Sequence, residues 1–237
     1  MTKKLKIKLF ADGANLKDMI EVYNQGIVRG YTTNPTLMRK AGITNYEEFA
    51  KQALKLIPDM PISFEVFSDD SKNMEYEAEE IASWGNNVYV KIPVTNTEGK
   101  STEALIENLS SSGIQLNVTA ILTTDQVNKV TQSLNEYTPS IVSVFAGRIA
   151  DTGRDPIPIM HTSLSMVRAN KHCELLWAST RELLNVVQAE QVGCHIITVP
   201  NDILKKLSML DKDLNELSLE TVQIFFADAK SAGYKIL

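Results

Sequence analysis

One lysine lies in the middle of an apolar, strand-like segment, VYVKIPV at 88–94. Lysine side chains are almost never fully buried unless they are paired, so an enclosed Lys91 must pair with an acid, lose its proton or react. Burial favours the uncharged amine, and a neutral amine attacks a ketone to form an iminium, an electron sink for breaking a neighbouring C–C bond. Lys91 is therefore a candidate nucleophile. The alternatives are a lysine on an edge strand and a buried ion pair with Glu65 or Asp12.

Two acidic residues stand in similar apolar settings, Asp12 at the end of LFAD and Glu65 within ISFEVF. C–C cleavage through an iminium needs one group that takes the proton from the substrate hydroxyl. It also needs a group that handles water while the imine forms and is hydrolysed. Two carboxyl groups in different environments suit these two tasks. The alternative is a lysine–carboxylate network that only stabilises the fold.

Two arginines follow strand-like segments and are candidate anion ligands: Arg148 in FAGRI and Arg181 in ASTR. Arginine binds phosphate through two parallel hydrogen bonds, although a pair of surface arginines is an equal alternative. Asn34 precedes Pro35, and a residue before proline is pushed out of helical geometry, so TTNP predicts a turn at a strand end. Residues 151–158 (DTGRDPIP) predict an ordered loop, and we favour a connection over a lid.

The elements that must position these residues recur along the chain. Each strand-like run is followed by a polar stretch with helical apolar spacing. Their starts are separated by about 27 residues, the size of one unit of an eight-stranded α/β barrel. Without a glycine-rich dinucleotide motif, the pattern predicts a single-domain α/β fold, a (β/α)8 TIM barrel over 1–237, with an open parallel sheet as the alternative. The predicted strands are 7–12, 30–34, 62–67, 88–94, 115–122, 141–145, 174–179 and 195–199.

Most of these strands have one apolar face and one polar face. Residues two apart share a face, so Asn117 lies with Thr119, Ser143 with Phe145, and Ser179 with Arg181. The polar groups fall late in their strands. In a barrel they would converge at the C-terminal mouth, where such folds carry out chemistry.

The composition limits the classes of partner. The net charge is −5, with 43% hydrophobic residues. This balance argues against nucleic acid as a partner but leaves small phosphorylated metabolites, which need only a local cationic pocket. No stretch approaches the roughly 20 apolar residues of a membrane span, and MTKKLKIKLF lacks a sustained apolar region, so we expect neither a membrane anchor nor a signal peptide.

Cysteines and histidines are few. Cys173 and Cys194 have apolar neighbours and predict buried, reduced thiols in a cytoplasmic protein. The three histidines are scattered and show no metal-ligand spacing. We therefore expect a site without metal or cofactor.

Six short motifs follow one another along the predicted strands: Asp12-Gly13-Ala14-Asn15, Thr32-Thr33-Asn34-Pro35-Thr36-Leu37, Val90-Lys91-Ile92-Pro93, Asn117-Val118-Thr119, Ser143-Val144-Phe145-Ala146-Gly147-Arg148-Ile149 and Ala178-Ser179-Thr180-Arg181. With these motifs in order, the sequence resembles the transaldolase family, nearer its small members, from strand one to strand eight. The resemblance implies the barrel fold and places the Schiff-base lysine on the fourth strand, where Lys91 falls.

The resemblance also implies a role for each matched residue. Asp12 would be the acid/base for bond cleavage, and Glu65 with Thr119 would hold the catalytic water. The dihydroxyacetone portion of the substrate would lie against Asn34, Asn117 and Ser143, and its phosphate would lie against Arg148, Ser179 and Arg181. The implied substrates are sugar phosphates: a ketose phosphate donor, fructose 6-phosphate or sedoheptulose 7-phosphate, and an aldose phosphate acceptor.

Fructose-6-phosphate aldolases, which release free dihydroxyacetone, are the related alternative. They tend to carry Gln where Glu65 stands and Tyr where Phe145 stands, so both positions favour a transferase. Two departures from the family pattern are Gly13, where a hydroxyl residue is usual, and the segments 119–124 and 151–158. They leave a specialised enzyme of unusual-sugar biosynthesis as a further alternative.

Small members of the family assemble as ring-like homo-oligomers, often decamers, in which the C-terminal helix reaches a neighbour. The tail 217–232 is amphipathic enough for this role, and packing on its own barrel is the alternative. Its apolar positions include Leu219, Val222, Phe225, Phe226 and Ala229.

Overall fold

The computed structural model describes residues 5–236; residues 1–4 and Leu237, which belong to the predicted domain 1–237, lie outside the described residues. Eight parallel strands pair in chain order, and the last pairs with the first, so the sheet is a closed barrel. The predicted (β/α)8 barrel is confirmed and the open sheet is wrong. The strands are β1 Lys8–Asp12, β2 Gly30–Thr32, β3 Ile62–Glu65, β4 Val88–Pro93, β5 Leu116–Ile121, β6 Ser140–Val144, β7 Cys173–Trp177 and β8 Ile196–Pro200.

Helices follow every strand and surround the barrel. Several begin at a side chain that accepts hydrogen bonds from the first-turn amides: Asn15, Asn34, Asn45 and Asp70 act in this way. The helices are α1 Leu16–Gln25, α2 Pro35–Lys40, α3 Tyr46–Leu56, α4 Ser71–Ser83, α5 Glu103–Ser111, α6 Thr124–Ser133, α7 Ala146–Asp151, α8 Ile157–Val167, α9 Leu184–Val192, α10 Asn201–Leu204 and α11 Leu214–Ser231, with a 3-10 helix at Lys205–Met209.

Two apolar layers hold the barrel together. The larger lies between the strands and the helices and contains the outward residues of the strands. The smaller fills the barrel interior with Phe10, Ile141, Leu176 and Ile196, all almost completely buried. Because β1, β6, β7 and β8 carry these residues at inward positions, the interior is apolar below the C-terminal mouth. The polar inward residues sit above it.

Several strands end earlier than the sequence pattern predicts. The second predicted strand, 30–34, ends at Thr32, because Pro35 opens α2 and Asn34 caps it. The seventh, 174–179, ends at Trp177. The predicted loop 151–158 is also too long, since Asp151 closes α7 and Ile157 opens α8.

The sequence analysis left open that the C-terminal tail packs on its own barrel. The last helix, α11, does not pack in this way. None of the residues of α11 is buried. Its side chains include Phe225 and Phe226, which are 68% and 71% exposed.

Candidate active site

A cleft of about 580 Å³ opens at the C-terminal ends of the strands. Every predicted site residue except Asn117 lines it. The alternation along the strands explains most of this convergence, because late inward positions of a barrel point to one mouth. The predicted residues that line the cleft are Asp12, Asn34, Glu65, Lys91, Thr119, Ser143, Phe145, Arg148, Ser179 and Arg181.

Asn117 lies below the cleft and is completely buried. Its amide nitrogen donates to Ser63 Oγ at 3.0 Å, and its oxygen accepts from Ser143 Oγ at 2.6 Å. The amide therefore links β5 to β3 and β6 and orients the hydroxyl of Ser143, a residue that lines the cleft.

Lys91 is only 6% exposed, although it is charged in its ordinary state. Its outward neighbours Val90 and Ile92 pack under the helices, so its own side chain points into the barrel. Lys91 Nζ donates to the Thr33 carbonyl at 2.8 Å and lies 3.0 Å from Glu65 Oε2. The ion pair with Glu65, one of the alternatives that the sequence analysis gave for Lys91, is therefore present. A primary amine held by one carbonyl and one carboxylate faces the cleft.

Asp12 has different surroundings from Glu65. Burial raises the pKa of the Asp12 carboxyl above its usual range, and it outweighs the opposing effects of the Lys91 charge and the Thr32 hydrogen bond. Thr32 Oγ1 donates to Asp12 Oδ1 at 2.8 Å and also contacts the Thr198 hydroxyl. A small part of the Asp12 side chain stays open to the cleft. A carboxyl in this setting is suited to accept and return a proton.

Thr119 stands at an irregularity in the barrel. The pairing of β5 with β6 shifts register between Val118 and Ile121, and Ala120 adopts a left-handed backbone with φ +61°. The Thr119 hydroxyl oxygen is buried and makes no hydrogen bond to any residue within 5–236. Left-handed non-glycine residues concentrate at functional sites, and both Ala120 and Thr119 line the cleft that contains Lys91.

The far end of the cleft is cationic. The Arg148 guanidinium lies 5.6 Å from the centre of the Phe145 ring. Arg181 is half-exposed and is paired with Asp151, to which Arg181 Nε donates at 3.0 Å. This hydrogen bond lowers the pKa of the Asp151 carboxyl, with a further contribution from Arg148. Asp151 is thus a bonded partner of Arg181 that the sequence analysis did not identify, whereas Arg148 acts on it only through its charge.

The backbone places Ser179 at this end. Strand β7 has already ended at Trp177, so the predicted alternation of Ser179 with Arg181 does not apply. Ser179 instead adopts a left-handed backbone, with φ +66°. Gly147 packs directly on this turn: a Cβ atom there would lie 1.6 Å from the Ser179 carbonyl oxygen. The absence of a side chain at Gly147 thus brings Arg148 and Ser179 together.

The cleft also contains residues that the sequence analysis did not assign. Thr198 is an inward residue of β8, and its position two residues after Ile196 was the signal available. Lys40, the last residue of α2, adds a cation, and Leu176 and Ala178 form an apolar part of the wall.

A second cleft of similar volume lies at the opposite end of the barrel. It is lined by apolar residues and by four charged ones, Lys6, Lys8, Arg29 and Glu174, of which Lys8 and Glu174 form an ion pair. The Lys8 and Glu174 side chains are 49% and 31% exposed, whereas those of Lys91 and Glu65 are 7% and 19% exposed, so the C-terminal cleft, with its enclosed ionisable groups, is the better candidate for a site. Among residues 5–236, no three His, Cys, Asp or Glu side chains cluster as a metal site would require. None of the helices there has the length and apolar character that crossing a membrane takes.

Comparisons with known proteins agree with this architecture. The family model described as transaldolase/fructose-6-phosphate aldolase matches residues 9–236. A probable transaldolase of Thermoanaerobacter sp. (strain X514) is 35% identical over 97% of this chain and 100% of its own length. A probable transaldolase of Dehalococcoides mccartyi is 33% identical, covering 95% of this chain and 99% of its own.

Solved structures with low sequence identity show the same fold. A 3-hexulose-6-phosphate synthase from Salmonella typhimurium superposes with a TM-score of 0.57 at 16% identity, covering 85% of this chain and 91% of its own. A mandelate oxidase mutant gives a TM-score of 0.55 at 14% identity, covering 81% of this chain and 65% of its own. At these identities the likeness concerns the fold alone.

Proposed function

The chain belongs to the transaldolase/fructose-6-phosphate aldolase family, and from this premise we propose that it is a transaldolase working through an imine on Lys91. It transfers a dihydroxyacetone unit from fructose 6-phosphate or sedoheptulose 7-phosphate to an aldose phosphate. One observation carries the proposal: a buried lysine amine lies 3.0 Å from the Glu65 carboxylate in the same cleft as the desolvated Asp12.

The first half of the reaction builds and uses the imine. The Lys91 ammonium passes a proton to the Glu65 carboxylate 3.0 Å away, the free amine attacks the donor ketone, and the resulting carbinolamine loses water to give an iminium. Asp12 takes the proton of the hydroxyl next to the scissile bond. That C–C bond breaks, its electron pair moves into the iminium, and an aldose phosphate leaves while an enamine remains on Lys91.

The second half runs in reverse on a new acceptor. The enamine carbon attacks the aldehyde of the acceptor, and Asp12 returns its proton to the new alkoxide. Glu65 and Thr119 hold the water that leaves during imine formation and that later hydrolyses the product iminium. The Thr119 hydroxyl supports this role because it has no partner among the described residues.

The remaining side chains of the cleft bind the donor. Asn34 uses its carbonyl oxygen to cap α2, accepting from the Leu37 amide at 3.0 Å, so its amide nitrogen is the group that faces the dihydroxyacetone portion. Ser143 contacts the same portion from β6, oriented by Asn117. Phe145 offers an apolar ring at this position, with no hydroxyl to position an additional water.

The phosphate of the donor binds Arg148, Ser179 and Arg181. Arg148 makes no hydrogen bond or ion pair to a described residue and contacts the Phe145 ring, and it is exposed in the lining of the cleft. Arg181 offers the donors that Asp151 does not occupy. Two arginines beside a serine hydroxyl are a charge-assisted donor set for a phosphate dianion.

We further propose that the protein is a homo-oligomer in which α11 docks on a second copy of the chain; a decamer is the form that the family resemblance implies. The exposed Phe225 and Phe226 support this, since contiguous exposed apolar surface marks interaction sites. A cytoplasmic location and a place in the pentose phosphate pathway stay predictions.

The test combines a product assay with a trapping assay. Fructose 6-phosphate is incubated with and without erythrose 4-phosphate, and sedoheptulose 7-phosphate is expected only when the acceptor is present. Free dihydroxyacetone without acceptor would instead identify an aldolase. Borohydride reduction should leave the donor covalently attached to the protein, as mass spectrometry detects.

Two lysine variants make the trapping assay specific. Lys91→Met should fold but give neither adduct nor turnover. The control is Lys8→Met, because Lys8 is also on a barrel strand but faces Glu174 at the opposite end; it should trap donor like the wild type. An adduct that persists in Lys91→Met refutes the assignment of the nucleophile.

A further inference from the structure

The hydrogen-bond ladder between β2 and β3 stops just below Glu65. Tyr31 N donates to the Pro61 carbonyl at 2.9 Å, and Thr33 N donates to the Ser63 carbonyl at 3.1 Å. One more step of a parallel ladder would direct the Glu65 N–H to the Thr33 carbonyl. The Glu65 carbonyl would in turn accept from the N–H of position 35, two residues further along the chain from Thr33.

Neither of these bonds forms. Position 35 is a proline, which has no N–H, and it opens α2. The Thr33 carbonyl is taken by Lys91 Nζ at 2.8 Å. Both main-chain groups of Glu65 on this side therefore need another partner, at the residue whose carboxylate pairs with Lys91.

The hydroxyl group of Tyr46 supplies both bonds. Glu65 N donates to Tyr46 Oη at 2.7 Å, and Tyr46 Oη donates to the Glu65 carbonyl at 3.0 Å. Tyr46 is the first residue of α3, and its ring is held edge-on against Phe64 and Trp84, with centroids 6.2 and 5.5 Å away. The Tyr46 hydroxyl oxygen thus makes the two hydrogen bonds that β2, which ends at Thr32, does not provide to Glu65.

We propose that Tyr46 is a positioning residue for the reaction: its hydroxyl fixes Glu65 and leaves the Thr33 carbonyl available to hold the Lys91 amine. The inference rests on the proposed function of Lys91 and Glu65. Without the hydroxyl, the Glu65 N–H would lose its acceptor and turn to the Thr33 carbonyl, where it competes with Lys91. Both polar contacts of Lys91 depend in this way on one oxygen atom of a helix outside the barrel.

The variant Tyr46→Phe tests this, because it keeps the ring and removes only the hydroxyl. We expect kcat to fall roughly 10- to 100-fold, the effect of misplacing catalytic groups by a fraction of an ångström to 1 Å. The KM for fructose 6-phosphate should change less than about twofold, since the phosphate ligands are untouched. The rate of imine formation in a single turnover, measured by borohydride quenching, should fall with kcat.

Tyr31→Phe is the matched control. It also removes a buried hydroxyl that donates to a main-chain carbonyl, that of Met19 at 3.0 Å, but this bond lies outside the cleft. It should lower Tm without slowing imine formation. If Tyr31→Phe slows imine formation as much as Tyr46→Phe does, the effect is one of general stability and the inference is overturned.

The outcomes separate the two proposals. A wild-type protein that forms no adduct refutes the proposed function itself. A wild-type protein that forms the adduct, with an unchanged rate in Tyr46→Phe, overturns only the role of Tyr46. Should Tyr46→Phe not fold, hydrogen exchange of the wild type decides: the Glu65 amide should exchange at least about tenfold more slowly than an unbonded amide, and rapid exchange overturns the inference.

Discussion

Replacing Gly147 by alanine should damage phosphate binding selectively. Gly147 is the point where α7 meets the turn after β7, and an added Cβ would lie 1.6 Å from the Ser179 carbonyl oxygen. Real Cβ atoms essentially never come closer than 3.0 Å to such an atom. The obstructing atom belongs to the backbone, so α7 and the turn must separate by more than 1 Å. Arg148 and Ser179 move apart with them.

The magnitude follows from this displacement. Overpacking of this kind costs about 1–3 kcal/mol, which lowers Tm by roughly 2–12 °C for a chain of this size. A shift of about 1 Å in a binding group costs on the order of 100-fold, so KM for fructose 6-phosphate should rise roughly 10- to 100-fold. Lys91 is not displaced, so borohydride trapping of unphosphorylated fructose or dihydroxyacetone should continue at the wild-type rate.

The control is Gly13→Ala, because no atom lies within 4 Å of a Cβ at that position. It should keep the wild-type Tm. The reasoning about the phosphate site is refuted if Gly147→Ala loses stability as expected but retains the wild-type KM for fructose 6-phosphate. An equal loss of trapping with phosphorylated and unphosphorylated donors would also refute it.

Three further predictions concern charge and assembly. Burial raises the pKa of Asp12, so the ionised carboxyl destabilises the fold at neutral pH. Asp12→Asn should therefore raise Tm at pH 7 and abolish turnover. The difference in Tm from the wild type should vanish in acid, where Asp12 is protonated, and a lower Tm at pH 7 would contradict the prediction. Asp151→Asn should free Arg181 and lower KM for fructose 6-phosphate a few-fold, while KM for unphosphorylated donors stays unchanged. A raised KM would show that Asp151 positions the arginine instead. Phe225→Asp on α11 should shift the protein to smaller species in analytical ultracentrifugation, and an unchanged sedimentation coefficient excludes α11 from the interface.

The sequence was sufficient to predict the barrel and its central residues for a local physical reason. Alternation along a strand is a property of the strand itself, so Lys91 and Glu65 could be assigned to the interior from their apolar neighbours. Their register then brings them side by side, because Glu65 on β3 pairs directly with Lys91 on β4.

Other features depend on contacts that no local pattern records. Ser179 and Arg181 both line the cleft as predicted, but strand alternation does not place them, because the strand ends at Trp177 and the Ser179 backbone is left-handed. Asp151 was placed in a loop, and its pairing with Arg181 joins residues 30 positions apart. The hydrogen bonds between Tyr46 and the main chain of Glu65 are likewise not visible in a local pattern, because they form where β2 ends and no longer pairs with β3.

The differing environments of the two acids also explain how one carboxyl can both take and return a proton. Asp12 is desolvated, which raises its pKa, whereas a positive charge at Lys91 lowers it. In the proposed reaction this charge is present on the iminium and absent from the enamine. Before cleavage the iminium therefore favours the Asp12 carboxylate, which is ready to accept the hydroxyl proton. After cleavage the charge has gone and Asp12 holds that proton until the acceptor arrives. Glu65, paired with Lys91 at 3.0 Å, stays beside the same nitrogen and suits the handling of water, so the charge of the intermediate itself drives the proton in each direction.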